Sequence, residues 1–209
     1  MTDLVIVGAG GFARETASAA RDTWNVLGFL DDDPALHGTV RSGLPILGGT
    51  ERVHETDAAV VVCVGNPRNF TARKQIVERL GLPAERYATV VHPLASVGAG
   101  SVLGPGTVLL AGTVLTADVA VGSHVAVMPQ AVLTHDDRVG DYCTIASGVR
   151  LGGGAVLDEG AYAGSGALIR EGVKVGAWSL VGMGSVVLHD VPAGEVWAGN
   201  PARLIRPLS

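Results

Sequence analysis

Aromatic side chains are scarce in this 209-residue chain: three Phe, three Trp and three Tyr, 4% of the whole. Ordinary globular cores draw much of their buried area from such rings, so their scarcity points to a thin, tightly wound architecture. Cysteine is scarcer still. Cys63 and Cys143 lie in unrelated segments, which excludes a disulfide framework and suits buried thiols in a reducing compartment. There is no long basic run and the net charge is −5, so neither nucleic acid nor an anionic membrane is an expected partner. The longest apolar run, 58–64, is far too short to cross a bilayer. The chain starts directly into Leu4-Val5-Ile6-Val7 with no basic leader, and a soluble, cytoplasmic protein is expected.

What the chain does have is a period. From Val97, steps of six reach Leu103, Leu109, Leu115, Val121, Val127, Leu133, Val139, Ile145, Leu151, Leu157, Ala163, Ile169, Val175, Val181 and Val187. Fifteen of those sixteen positions are Val, Leu or Ile. Six matches neither the 3.6-residue helix nor the two-residue strand. It is the mark of hexapeptide repeats wound into a parallel β-helix. The residue two before each aliphatic is mostly small. The residue three after it is most often Gly, as at Gly100, Gly106, Gly148, Gly160 and Gly172, which allows positive φ at a corner. Three hexads make a coil of eighteen residues, and the run gives about five coils at about 4.8 Å each.

The first ninety residues follow a different grammar. Apolar runs at Leu4–Val7, Val26–Leu30, Val60–Val64 and Tyr87–Val91 alternate with helix-like segments at Phe12–Arg21 and Thr71–Leu80. That alternation predicts βαβ units and a small parallel sheet. The expected organisation is a Rossmann-like α/β domain over 1–90, a left-handed β-helix over 91–190 and a non-repetitive tail over 191–209.

Two motifs carry chemistry. Gly8-Ala9-Gly10-Gly11-Phe12-Ala13 fits G-x-G-x-x-A between a strand and a helix, where small residues and helix amides favour a phosphate. Asp31 and Asp32 follow the second strand at the distance where a carboxylate grips a ribose or base. The alternative is a glycine turn that merely tightens a strand–helix connection, and fewer than 95 residues are too few for a complete dinucleotide fold. The second motif is Thr134-His135-Asp136. His135 falls two residues after an inward Leu, on a corner, where a histidine can serve as general base. Asp136 is the nearest carboxylate to fix its tautomer. Gly153 lies eighteen residues on, so it stacks one coil away with a bare N–H that can face a thioester carbonyl. The alternative is a solvated corner histidine. His189 shares the hexad position but stands three coils off, about 14 Å away. His124 reads as a surface corner and His92 as a junction residue, while His37 and His54 fall in polar loops. The histidine spacings give no convergent ligand set, so no metal is expected. Arg203 and Arg206, after the turn Gly199-Asn200-Pro201, are placed either to meet the phosphates of an anionic ligand or to form a solvated carboxyl-terminal end.

Gly8–Ala13, Gly28-Phe29-Leu30-Asp31-Asp32, Gly65-Asn66, His92-Pro93, His135-Asp136, Gly164-Ser165-Gly166-Ala167 and Gly199–Arg203 stand in an order that covers nearly the whole chain. In that order the chain resembles the bacterial hexapeptide-repeat acyltransferases of the sialic acid O-acetyltransferase / nucleotide-4-amino-sugar N-acetyltransferase family. The resemblance implies a left-handed β-helix, a homotrimer, and acetyl-CoA bound between adjacent β-helices with no metal. It implies that His135 is the base and Asp136 its acidic partner. It puts the nucleotide amino sugar at Gly8, Gly10, Gly11, Phe12, Asp31, Asp32, Gly65 and Asn66. The cosubstrate side falls to Thr144, Gly153, Gly164, Gly166, Gly182 and Arg203. Three departures from the family pattern stand out: Asp137-Arg138 where Cys-Val is usual, Thr144 where some relatives carry a second histidine, and Phe12 where many carry a histidine. The implied reaction is N-acetylation of the amino group; O-acetylation of a sugar hydroxyl and a non-catalytic, nucleotide-sensing trimeric scaffold are the alternatives.

Overall fold

The computed structural model describes residues 1–66 and 68–208. The amino-terminal sheet contains β1 (Thr2–Val7), β2 (Trp24–Leu30), β3 (Val40–Arg41), β4 (Leu44–Gly48) and β5 (Ala59–Val62), in the order β3-β4-β2-β1-β5. All neighbours are parallel except the β3–β4 hairpin. Leu4, Val5, Ile6 and Val7 are all buried, the pattern of a central strand covered on both faces. Helix α1 (Gly11–Ala20) and helix α2 (Ala72–Leu80) connect the strands. The hairpin was not expected from the polar sequence around it.

From Val90 the chain becomes a prism with three sheet faces. Face I carries the inward residues Val91, Leu109, Val127, Ile145, Ala163 and Val181. Face II carries Val97, Leu115, Leu133, Leu151, Ile169 and Val187, and face III Leu103, Val121, Val139, Leu157 and Val175. Each of these rungs pairs with the one eighteen residues away. From Leu109 on, the inward residues of the hexads are buried in one continuous column. The period of six is therefore realised as predicted: a parallel β-helix with three strands to a coil.

Two sequence expectations change. Tyr87–Val91 is not a last strand of the sheet: Tyr87 bridges to Val60, while Val90–Val91 is already the first rung of face I. The tail is not irregular either. Glu195–Gly199 adds a further parallel rung to face I, and Ala202–Pro207 folds back on it antiparallel, covering an edge that would otherwise be open.

The two parts share a core. Phe12, Ala13 and Ala17 of α1 cluster with Val90, Val108 and Ala126 on the outer side of face I. Arg73 of α2 is 2% exposed. Its guanidinium donates to the carbonyls of Val64, Tyr142 and Cys143 and to Thr144 Oγ1, at 2.8–3.1 Å. Burial pulls the Arg73 pKa down to about 10, so it remains a cation at neutral pH. Lys74 adds a 2.7 Å ion pair to Glu159. His124, expected at the surface, is instead buried in this seam, edge-on to Tyr87 and stacked on Tyr142. Burial, with the Arg73 charge nearby, pushes its pKa down to about 4, so it packs as a neutral ring.

Candidate active site

The corner that carries His135 lies between Leu133 of face II and Val139 of face III. It is the prism edge opposite face I, hence the edge opposite this chain's own amino-terminal sheet. His135 and Asp136 are well exposed there, and His135 Nδ1 stands 2.9 Å from Asp136 Oδ2. Asp136 occupies the corner position at φ 66°, a left-handed conformation that Asp tolerates better than most residues. That conformation turns its carboxylate back beside the ring. The other ring nitrogen, Nε2, is left for a substrate.

Gly153 sits where the eighteen-residue stacking places it. A Cβ on Gly153 would come within 2.5 Å of His135 Cε1 and 2.6 Å of Nε2, so only a glycine leaves room for the ring. Among the described residues its N–H meets no protein acceptor, whereas its neighbours donate to Ile169 and His135 carbonyls. A base and an amide without a protein acceptor thus lie side by side on adjacent coils, groups that acyl transfer can use.

Asp137 does not pair with the exposed Arg138 next to it. Its side chain turns into the prism, where the residue is 0% exposed. There its carboxylate accepts the N–H groups of Thr134 at 2.7 Å and Ala155 at 2.9 Å. Burial raises its pKa to about 6, against the opposing pull of those two N–H groups and of His135. The sequence carried a signal for this: Asp137 is the one acidic residue at a hexad position otherwise held by Ala, Ser, Thr, Val or Cys.

The residues assigned to the nucleotide meet at the carboxyl ends of β1, β2 and β5. Gly8 is at φ 101°, and a Cβ there would lie 2.9 Å from the Cys63 carbonyl; the loop needs that glycine to pass β5. Gly10, Gly11, Gly65 and Asn66 form an exposed rim, with Phe12 buried beneath and near Gly65. Side chains built on Gly10 or Gly11 would meet nothing within 4 Å, so the space above the α1 amino terminus is open to an anion. Asp31 accepts the Ala9 N–H at 2.9 Å and the Asp33 N–H at 3.0 Å, so it first shapes the glycine loop. Asp32 accepts from the Thr50 N–H and hydroxyl and pairs with Arg79 at 2.7 Å. Burial alone would raise the Asp32 carboxyl, but those partners outweigh it and hold it below its usual value.

The remaining assigned residues do not join His135 within one chain. Gly164, Gly166 and Gly182 line the edge between faces I and II. Arg203 is exposed on the final strand. Thr144 is 4% exposed on face I and its hydroxyl is engaged by Arg73, so the seam, not a ligand, holds it. A concavity of about 520 Å³ between Arg14, Arg21, Trp24 and Leu44 is also elsewhere. Among the described residues no cluster of His, Cys, Asp and Glu has the arrangement of a metal site, and no helix is long and apolar enough to cross a membrane.

Comparison with known proteins accounts for this arrangement. Residues 3–80 match the PglD N-terminal domain. The whole chain is similar to the acetyltransferase domain of PglB from Neisseria gonorrhoeae, solved with acetyl coenzyme A. That match has 29% identity and a TM-score of 0.87 over 97% of this chain and 98% of that one. A mutant of perosamine N-acetyltransferase from Caulobacter crescentus, in complex with CoA and GDP-perosamine, is 28% identical. Its TM-score is 0.87, over 98% and 97% of the two chains. WeeI from Acinetobacter baumannii is 26% identical at a TM-score of 0.71, over 98% and 100%. Among curated proteins, none matches. With the PglD-type sheet at one end and the repeat prism at the other, the chain is similar over nearly its full length to these proteins.

Proposed function

We propose that the protein transfers an acetyl group from acetyl-CoA to the amino group of a sugar carried on a nucleotide. The observation that carries this reading is the His135–Asp136 pair facing the bare Gly153 amide across one coil. Asp136 holds the imidazole with Nε2 outward. His135 Nε2 accepts the proton of the sugar amine as its nitrogen bonds to the acetyl carbon. The Gly153 N–H faces the carbonyl oxygen, where negative charge gathers. The carbon–sulfur bond then breaks, and the proton held by His135 passes to the sulfur, leaving amide and CoA. The full-length neighbours solved with acetyl-CoA or CoA include an acetyltransferase domain and a perosamine N-acetyltransferase, which favours amide formation over the O-acetylation and scaffold readings.

The active form in this reading is a homotrimer of cytoplasmic protein. Gly10, Gly11, Gly65 and Asn66 belong to a sheet packed on face I, while His135 stands on the opposite edge. A nucleotide held by that rim is therefore turned away from its own base. A second copy brings its own rim, or its Gly164–Gly182 edge, to the first copy's His135, and three-fold closure satisfies every site at once. Arg203, exposed on the final strand, is assigned to the anionic part of CoA.

The test is CoA release from acetyl-CoA in the presence of UDP-, GDP- and dTDP-linked amino sugars. The wild type is expected to turn over with at least one of them, and His135→Ala to lose 10³-fold or more, on the order expected for loss of a general base. Full turnover by His135→Ala would overturn the mechanism.

A further inference from the structure

The prism repeats its hydrogen bonds with little variation, and it departs from them beside His135. On face II the residue after each inward aliphatic donates its N–H to the inward residue of the next coil: Gly98 to Leu115, Thr116 to Leu133, Gly152 to Ile169 and Arg170 to Val187, at 2.8–3.1 Å. Thr134 should donate to Leu151. Instead its N–H goes to Asp137 Oδ2 at 2.7 Å, and its hydroxyl takes over the Leu151 carbonyl at 2.9 Å. The rung is correspondingly incomplete: Val132 registers with Arg150, but Leu133 does not register with Leu151. Every other pair of neighbouring two-residue strands in the prism registers at both residues.

The second oxygen of Asp137 keeps the ordinary rung contact. Its 2.9 Å bond from the Ala155 N–H repeats what Ser101 does for Val119 and Thr107 for Val125. A hydroxyl at this position is therefore enough to hold the coils together. What the carboxylate adds is the diverted Thr134 N–H and a buried charge two residues from the base. Alone, such a charge costs stability, so a purely structural role would be better filled by Thr or Ser.

We infer that Asp137, acting with Thr134, is a positioning residue for acetyl transfer: it pulls the chain off the regular ladder just before His135 and so sets the imidazole against Gly153. The inference rests on the reading of His135 as the base. The groups facing Asp137 are the N–H groups of Thr134 and Ala155 and the side chains of His135 and Asp136. When the carboxyl gains a proton it is a weaker acceptor, and its hold on the Thr134 N–H is reduced.

The experiment compares wild type, Asp137→Thr, Asp137→Asn and the double variant Asp137→Thr/Thr134→Val by steady-state kinetics and thermal unfolding. Substrates are acetyl-CoA and whichever nucleotide amino sugar supports CoA release in the wild type, with His135→Ala run alongside. Asp137→Thr keeps the Ala155 bond and is expected to fold. The double variant restores the regular ladder. Each is expected to lose about tenfold or more in kcat, the scale of a base displaced by a fraction of an ångström, while KM for acetyl-CoA stays within about twofold. The acid limb of the wild-type pH profile should be steeper than that of Asp137→Thr, which lacks the second titrating group. A variant with a lowered Tm but wild-type kcat and an unchanged profile would assign Asp137 to the scaffold and overturn the inference, with the His135 reading intact. A fully active His135→Ala would overturn both.

Discussion

Individual residues in this protein are placed by what the repeat forbids as much as by what it allows. A side chain at Gly153 would take the space that the His135 ring fills. Gly153→Ala should therefore fold but lose about 10²-fold in kcat, measured by CoA release, because the ring must move to admit the methyl. Wild-type kcat in that variant would contradict the facing arrangement. Asp137 carries a pH signature as well. Its pKa, about 6 when folded, lies above that of the unfolded chain, about 3.9. The folded protein thus holds the proton more tightly between about pH 4 and 6, and this group's contribution to stability falls as pH rises through that window. Relative to wild type, Tm of Asp137→Asn should rise from pH 4 to 6 and level off above; a constant difference would contradict the buried titration. His135, Asp136 and Gly153 were legible in the sequence because a period of eighteen locates them. Asp137's role was not, since the spacing marks the position as inward but not which amides a carboxylate there would claim.

At the scale of elements, the seam between α2 and the prism decides how the sheet is held. One guanidinium, Arg73, satisfies three carbonyls and a hydroxyl beneath the surface. Arg73→Met should cost about 3 kcal/mol or more, since it strands several buried acceptors, and calorimetry should show a fall of several degrees in Tm. An unchanged Tm would mean that the apolar contacts of α1 with face I suffice. The sequence did not disclose this seam. Arg73 sits in an ordinary helical pattern, and contacts across about seventy residues leave no local period. The same holds for His124, Tyr142 and Trp178. They occupy left-handed corner positions usually given to glycine, and their rings fill the groove between prism and sheet. The corner strain was readable as non-glycine residues at the turn position; the aromatic packing was not, because it depends on where the sheet docks. The opening strand of the prism, Val90–Val91, was likewise read as part of the sheet, since a buried parallel strand and a first rung look alike in sequence.

At the scale of the whole molecule, one chain holds the exposed glycine rim and the His135 edge on opposite sides of the same prism. Fold class was legible from the ladder and the βαβ grammar together, and the comparisons agree with it over nearly the full length. How copies would pair in the proposed trimer was not legible, because no spacing within one chain reports on a second copy. The most direct measurement is a complementation experiment. His135→Ala removes the base, and Gly10→Tyr blocks the nucleotide rim by filling space that the fold leaves open. Each variant alone should be nearly inactive in CoA release. Co-refolded, they should recover a substantial fraction of wild-type activity, because some sites then combine an intact base from one copy with an intact rim from another. A mixture as inactive as its parents, with mixed trimers demonstrated by mass, would contradict the account.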